Sequence, residues 1–74
     1  MSPSQGARTA VESSVLSSVG YSTDASLELE FRSGAIYRYF AVPRPVFEEL
    51  IAAESKGVYF NRYVRDRFRY QRLA

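Results

Sequence analysis

The stretch "LELEFRSGAIYRYF", residues 27–40, decides how this chain folds. Leu27, Leu29 and Phe31 alternate with Glu28, Glu30 and Arg32. Side chains along a strand point to opposite faces in turn, so this pattern predicts a strand with one buried and one wet face. Ser33-Gly34 then reverses the chain. A type I turn over Arg32-Ser33, with Gly34 left-handed in a bulge, suits these residues better than a two-residue loop. That loop pairs Phe31 with Ala35, Leu29 with Tyr37 and Leu27 with Tyr39. Arg38 then faces Glu28, an opposite-charge pair that favours the register. A slip of one residue would set Arg38 among the leucines, which is more costly. Tyr37 and Tyr39 are therefore predicted on the covered face, with their hydroxyls at its rim. A stacking platform is the other reading of the same pair. Ile36 and Phe40 fall on the opposite face, so this strand reads as central.

Upstream, "SVLSSVGYS" puts Val15, Ser17, Val19 and Tyr21 on one parity and predicts a first strand. "STDAS" has turn composition and joins it to the next strand. Residues 1–11 are small and polar with no period, and read as a disordered leader ahead of a single domain over 12–74. Downstream, "VPRPVFEELIAAESKG" predicts a helix with Pro45 in its first turn. Val46, Phe47, Leu50, Ile51 and Ala53 form its apolar stripe, and Lys56-Gly57 marks its end. "VYFNRYVRDRF" predicts a second helix with i,i+4 pairs Tyr59–Tyr63 and Phe60–Val64. "FRYQRL" returns to alternation. The expected fold is α+β: a three-stranded antiparallel sheet, two helices, and a short extended C-terminal segment that can add a fourth strand (β-β-β-α-α).

With 74 residues the chain holds one domain. It contains no cysteine and no histidine, so disulfides, thiolate chemistry and imidazole acid-base or metal chemistry are excluded. Ser13, Ser14, Ser17 and Ser18 therefore lack the usual activating base. Glu28 and Glu30 share a strand face, where solvated carboxylates outweigh an acid-base pair. No catalytic residue, cofactor or metal is expected, and the chain reads as a non-enzyme. No apolar run approaches the ~20 residues of a membrane span. Without a hydrophobic signal segment, a cytoplasmic location is expected.

Charge is segregated. Residues 1–55 carry four arginines against seven acids, and residues 56–74 carry six basic residues against Asp66 alone. Nine of the ten basic residues are arginine, whose planar fork suits phosphate and stacks on rings. Lys56, Tyr59, Arg62, Tyr63, Arg65, Arg69, Tyr70 and Arg72 are the candidate nucleic-acid-binding residues. Charge would hold phosphates there, and rings would stack on unpaired bases. Arg62, Arg65 and Arg69 would share a face if the second helix ran that far. The competing reading makes the rings core and leaves the arginines solvated or paired with the acidic half, where Glu48, Glu49 and Glu54 can satisfy several of them. Around Ser55, Lys56, Gly57 and Asn61, an anion nest at a helix start competes with a plain helix junction, in which glycine is left-handed and Ser55 or Asn61 caps.

"SSVLSSVGY", "LELEFRSGAIYRYFAVP" and "VFEELIAAESKGVYFNRYVRDRFRYQRL" together resemble the KTSC domain over about residues 13–73. Tyr37 and Tyr39 match its YxY, Val42-Pro43 its valine-proline, and Ser55, Gly57, Tyr59, Phe60 and Asn61 its SxG…YFN element. Where the family often has tyrosine-proline-tyrosine, this chain has Phe68-Arg69-Tyr70. The resemblance implies a small α+β fold, found on some lysyl-tRNA synthetases and as stand-alone bacterial and phage proteins. The expected function is a small RNA-binding accessory module for tRNA-like or single-stranded RNA. The alternative is a protein-interaction or self-association module, monomeric or weakly dimeric. No membrane partner is expected.

Overall fold

The computed structural model describes residues 8–74. In chain order it forms β1 (Thr9–Ala10), β2 (Leu16–Tyr21), β3 (Leu27–Phe31), β4 (Ile36–Tyr39), α1 (Arg44–Ala52), α2 (Lys56–Tyr63) and β5 (Tyr70–Arg72). The strands make one antiparallel sheet in the order β1-β2-β3-β4-β5. The class is α+β as expected, but the sheet has five strands where three and an optional fourth were predicted. Of the predicted leader, residues 1–7 lie outside the described residues. Residues 9–10 form β1, and Val11 packs on the core, so residues 9–11 belong to the fold.

The hairpin has the predicted register. Leu27 pairs with Tyr39, Glu28 with Arg38, and Leu29 with Tyr37. Gly34 is left-handed (φ 98°), its N–H donates to Phe31 O at 2.9 Å, and Phe31 N–H donates to Ala35 O at 2.8 Å. β2 departs from simple alternation. Its register shifts between Leu16 and Ser18, so Leu16 opposes Phe31 and Ser18 opposes Glu30. The bulge sends both Leu16 and Val19 into the core and leaves Val15 at the surface.

The helices pack on the sheet face that carries Val19, Leu27, Leu29 and Tyr39. Leu50, Phe60 and Val64 meet those residues and Val42 in one buried cluster. Fully burying each leucine contributes roughly 1.5–3 kcal/mol before entropy is subtracted. Val46 and Phe47 of the predicted stripe pack against this cluster, with Phe47 stacked on Tyr21 at 5.0 Å, but Ile51 is exposed. On the other face Glu28 is buried, although a solvated carboxylate was expected. The guanidiniums of Arg8 and Arg38 close over it, Arg38 at 3.0 Å. Ser18 Oγ receives Arg8 Nε–H at 3.1 Å and donates to Glu30 at 2.9 Å.

α1 ends at Ala52, four residues before the predicted Lys56-Gly57 stop. Those two residues instead open α2, where Ser55 is the N-cap and accepts the Val58 N–H at 3.3 Å. Gly57 is helical and not left-handed. It is glycine because a Cβ there would lie 2.8 Å from Val15 Cγ2, against the β2 bulge. α2 ends at Tyr63, so the helical face that would have joined Arg62, Arg65 and Arg69 does not form.

In an open helix, Gly57→Ala would add about 1 kcal/mol of stability. Here the clash with Val15 opposes that gain, and crowding of this kind costs about 1–3 kcal/mol. Gly57→Ala should therefore destabilise the wild-type chain and stabilise the Val15→Ala background. Urea denaturation of the four members of this cycle measures both signs.

Candidate functional site

The two helices cover only part of the sheet face, and the open remainder lies over β4 and β5. Tyr37 pairs with Arg72, and Tyr39 with Tyr70, so all four side chains share the helix-bearing face. They line a groove of about 550 Å³ together with Phe31, Phe60, Arg65 and Asp66. Phe60 reaches up from α2, edge-on to Phe31 at 5.3 Å and to Tyr39 at 5.8 Å. Tyr70 lies 5.5 Å from both Tyr37 and Tyr39. The Arg72 guanidinium sits over the Tyr37 ring at 5.8 Å, within cation–π range. Its Nε–H also donates to Ala74 O at 2.8 Å.

Exposure is graded across these rings. Tyr39 is buried, Tyr37 is half-buried, and Tyr70 is 57% exposed. The Tyr39 hydroxyl is pushed up to about 12, first by burial and then by Tyr37 and Tyr70; Arg65 opposes the shift and Asp66 adds to it. Arg65 and Asp66 thus act on the rings electrostatically from the groove wall.

Of the candidate residues, Arg65, Tyr70 and Arg72 come together here. Lys56, Tyr59, Arg62 and Tyr63 lie on α2, outside the groove lining. Lys56 Nζ is tied back to Ala53 O at 3.0 Å. With Ser55 engaged as a cap, the stretch is the plain helix junction and not the competing anion nest, though Gly57 is helical where the junction reading made it left-handed. Tyr59 donates to Glu49 at 2.9 Å and packs on Tyr63 at 4.8 Å. Its hydroxyl is also pushed up to about 12, by desolvation and then by that carboxylate. Arg69 is exposed outside the groove, and its carbonyl accepts the Phe40 N–H at 2.9 Å. The single surface inferred from sequence is therefore divided in two. Tyr37, which the sequence places on the covered face, and Asp66 are groove residues outside the candidate set. Once the tail pairs as a strand, the alternation of Tyr70 and Arg72 is the signal that finds Tyr37.

Of the two arrangements the competing reading allows for the C-terminal arginines, pairing with Glu48, Glu49 and Glu54 does not form among the described residues, and the arginines are solvated. Among the described residues, the ion pairs are Arg8–Glu28, Arg38–Glu28 and Arg44–Glu48. Glu49 is engaged by Tyr59. Arg62, Arg65, Arg67, Arg69 and Arg72 are exposed and make no ion pair with aspartate or glutamate. Among the described residues, no helix is long and apolar enough to cross a membrane.

An antiparallel five-stranded sheet with two helices on one face, inserted before its last strand, defines a small α+β module with an aromatic groove beside that strand. The chain belongs to the KTSC domain family, which matches residues 12–68. It is 47% identical over 53 residues to a lysine–tRNA ligase of Trichormus variabilis, covering 72% of this chain but only 9% of the ligase. It is 46% identical over 68 residues to an uncharacterised protein of Stutzerimonas stutzeri, covering 89% of this chain and 96% of that one. The crystal structure of a KTSC domain protein from Yersinia pestis superposes with a TM-score of 0.89 at 30% identity, over 92% of this chain and 97% of the other. The same domain thus occurs as a small protein and as a short segment of a much longer ligase.

The raised tyrosines set a pH dependence. Below pH ~10 folded and unfolded chains both hold the phenolic protons. Above it the unfolded chain ionises first, so stability falls as pH rises toward 12. The urea midpoint should drop between pH 8 and pH 11, and drop less in Tyr39→Phe, which keeps the ring contacts. Equal drops in both proteins would remove Tyr39 as a cause.

Proposed function

We propose that this chain is an RNA-binding accessory module that acts by binding and not by catalysis, in the cytoplasm of a bacterial cell. One observation carries this reading: unpaired arginines border an open groove lined by tyrosines. Guanidiniums without an aspartate or glutamate partner provide phosphate attraction, and exposed rings provide stacking surfaces for single-stranded bases. Both ingredients converge where Arg65 and Arg72 flank Tyr37 and Tyr70. The relationship to a segment of a lysine–tRNA ligase adds context for an RNA ligand.

Fluorescence polarisation with tRNA and single-stranded RNA tests the reading. Two phosphate contacts, on Arg65 and Arg72, predict about a sevenfold loss of single-stranded RNA affinity between ~50 and ~200 mM salt. The pair Arg65→Ala and Arg72→Ala should weaken binding more than the pair Lys56→Ala and Arg62→Ala. An absence of binding at ~50 mM salt would sink it.

A second reading, a self-association or protein-interaction module, rests on β5. This terminal strand is exposed at every residue, and Leu73 beside it is also exposed, so its outer edge is open to another strand. Light scattering across concentration separates the two readings, because a monomer at every concentration argues against self-pairing.

A further inference from the structure

Asp66 is the one acid among residues 56–74, and it stands in the groove beside the rings. Arginines flank it at positions 65 and 67, yet among the described residues it pairs with none of them. A groove serving phosphate alone gains nothing from a carboxylate, which repels the ligand. A carboxylate offers two acceptor oxygens and no donor, so it fits a ligand edge with two neighbouring donors. Among the RNA bases only guanine has that edge, in its N1–H and exocyclic N2 amine. Adenine and cytosine set one amine beside a bare ring nitrogen, which would face a carboxylate oxygen. Uracil sets its N3–H between two carbonyls. The guanine edge is free only in an unpaired base, and only an unpaired base exposes a face to a ring.

The remaining groove residues fit the rest of a nucleotide. Arg72 already covers Tyr37, while Tyr70 is more than half exposed, which leaves ring surface for stacking. Arg65 and Arg72 stand on the groove wall, where the flanking phosphates would pass. The volume of about 550 Å³ lies within the range of small-ligand sites. We infer that the groove takes one unpaired guanine of an RNA strand, stacked on Tyr70, with its N1–H and N2–H donating to Asp66 and its phosphates on Arg65 and Arg72. This inference rests on the RNA-binding reading above and adds base selectivity to it.

The test uses the full chain and fluorescein-labelled octamers of uridine in which one central base is guanine, inosine, adenine or cytosine. The guanine octamer should bind about fivefold or more tightly than the adenine and cytosine octamers, the low end for a bidentate base contact. Inosine, which keeps N1–H but lacks the N2 amine, should fall between them. Annealing the guanine octamer to its complement should abolish its advantage. Asp66→Asn, at an exposed position where folding is checked by thermal denaturation, should erase the difference between guanine and adenine. Equal affinity for all four octamers overturns the guanine site while leaving RNA binding intact. So does a guanine preference that survives Asp66→Asn. Failure of every octamer to bind overturns both.

Discussion

The register between β3 and β4 is the constraint on which the rest of the structure depends. Gly34 sets it with a left-handed turn, and the Glu28–Arg38 pair keys it from the back face. With a side-chain period of two, a shift of one residue would exchange the faces of Tyr37, Arg38 and Tyr39. Tyr39 would then leave the core, and β5, which pairs with β4, would have no matching row for Tyr70 and Arg72. Core and groove are two ends of one row of side chains, buried under the helices at one end and open at the other.

The back face reinforces this arrangement. Glu28 lies buried between two arginines, one from β4 and one from the segment leading into β1. Desolvation offsets much of the attraction in such a cluster, so its net contribution to stability is small. Loss of one partner would leave a buried charge uncompensated, so the cluster disfavours other registers more than it adds to stability. It also consumes basic and acidic groups from residues 8–55. Among the described residues the C-terminal arginines are left without aspartate or glutamate partners, and on α1 Glu48 is held by Arg44 and Glu49 by Tyr59.

Much of the fold was legible because it follows from local alternation. The 27–40 hairpin could be read down to its residue pairs, as could two helices and an alternating tail. The features that escaped depend on distant contacts. β1 is two residues long and is held by Arg8 bonding across the sheet to Ser18 and Glu28, which no local pattern announces. The β2 bulge broke parity and sent Leu16 inward. Lys56-Gly57 resembled a helix end because glycine commonly ends helices, whereas this glycine answers to Val15 across the fold. The residues of the groove were legible in composition but not in layout. Arg65, Tyr70 and Arg72 gather in the groove, while α2 carries Lys56, Tyr59, Arg62 and Tyr63 elsewhere, and Tyr37 joins only through β4–β5 pairing.

The open end of the Tyr37–Tyr39–Tyr70 row is the surface proposed to bind RNA. An amide NMR titration of the ¹⁵N-labelled chain with a single-stranded RNA tests it most directly. Binding in the groove shifts Tyr37–Tyr39, Arg65–Asp66 and Tyr70–Arg72 and leaves α2 residues Lys56, Tyr59, Arg62 and Tyr63 unmoved. Shifts centred on those α2 residues, or no shifts at all, would contradict it.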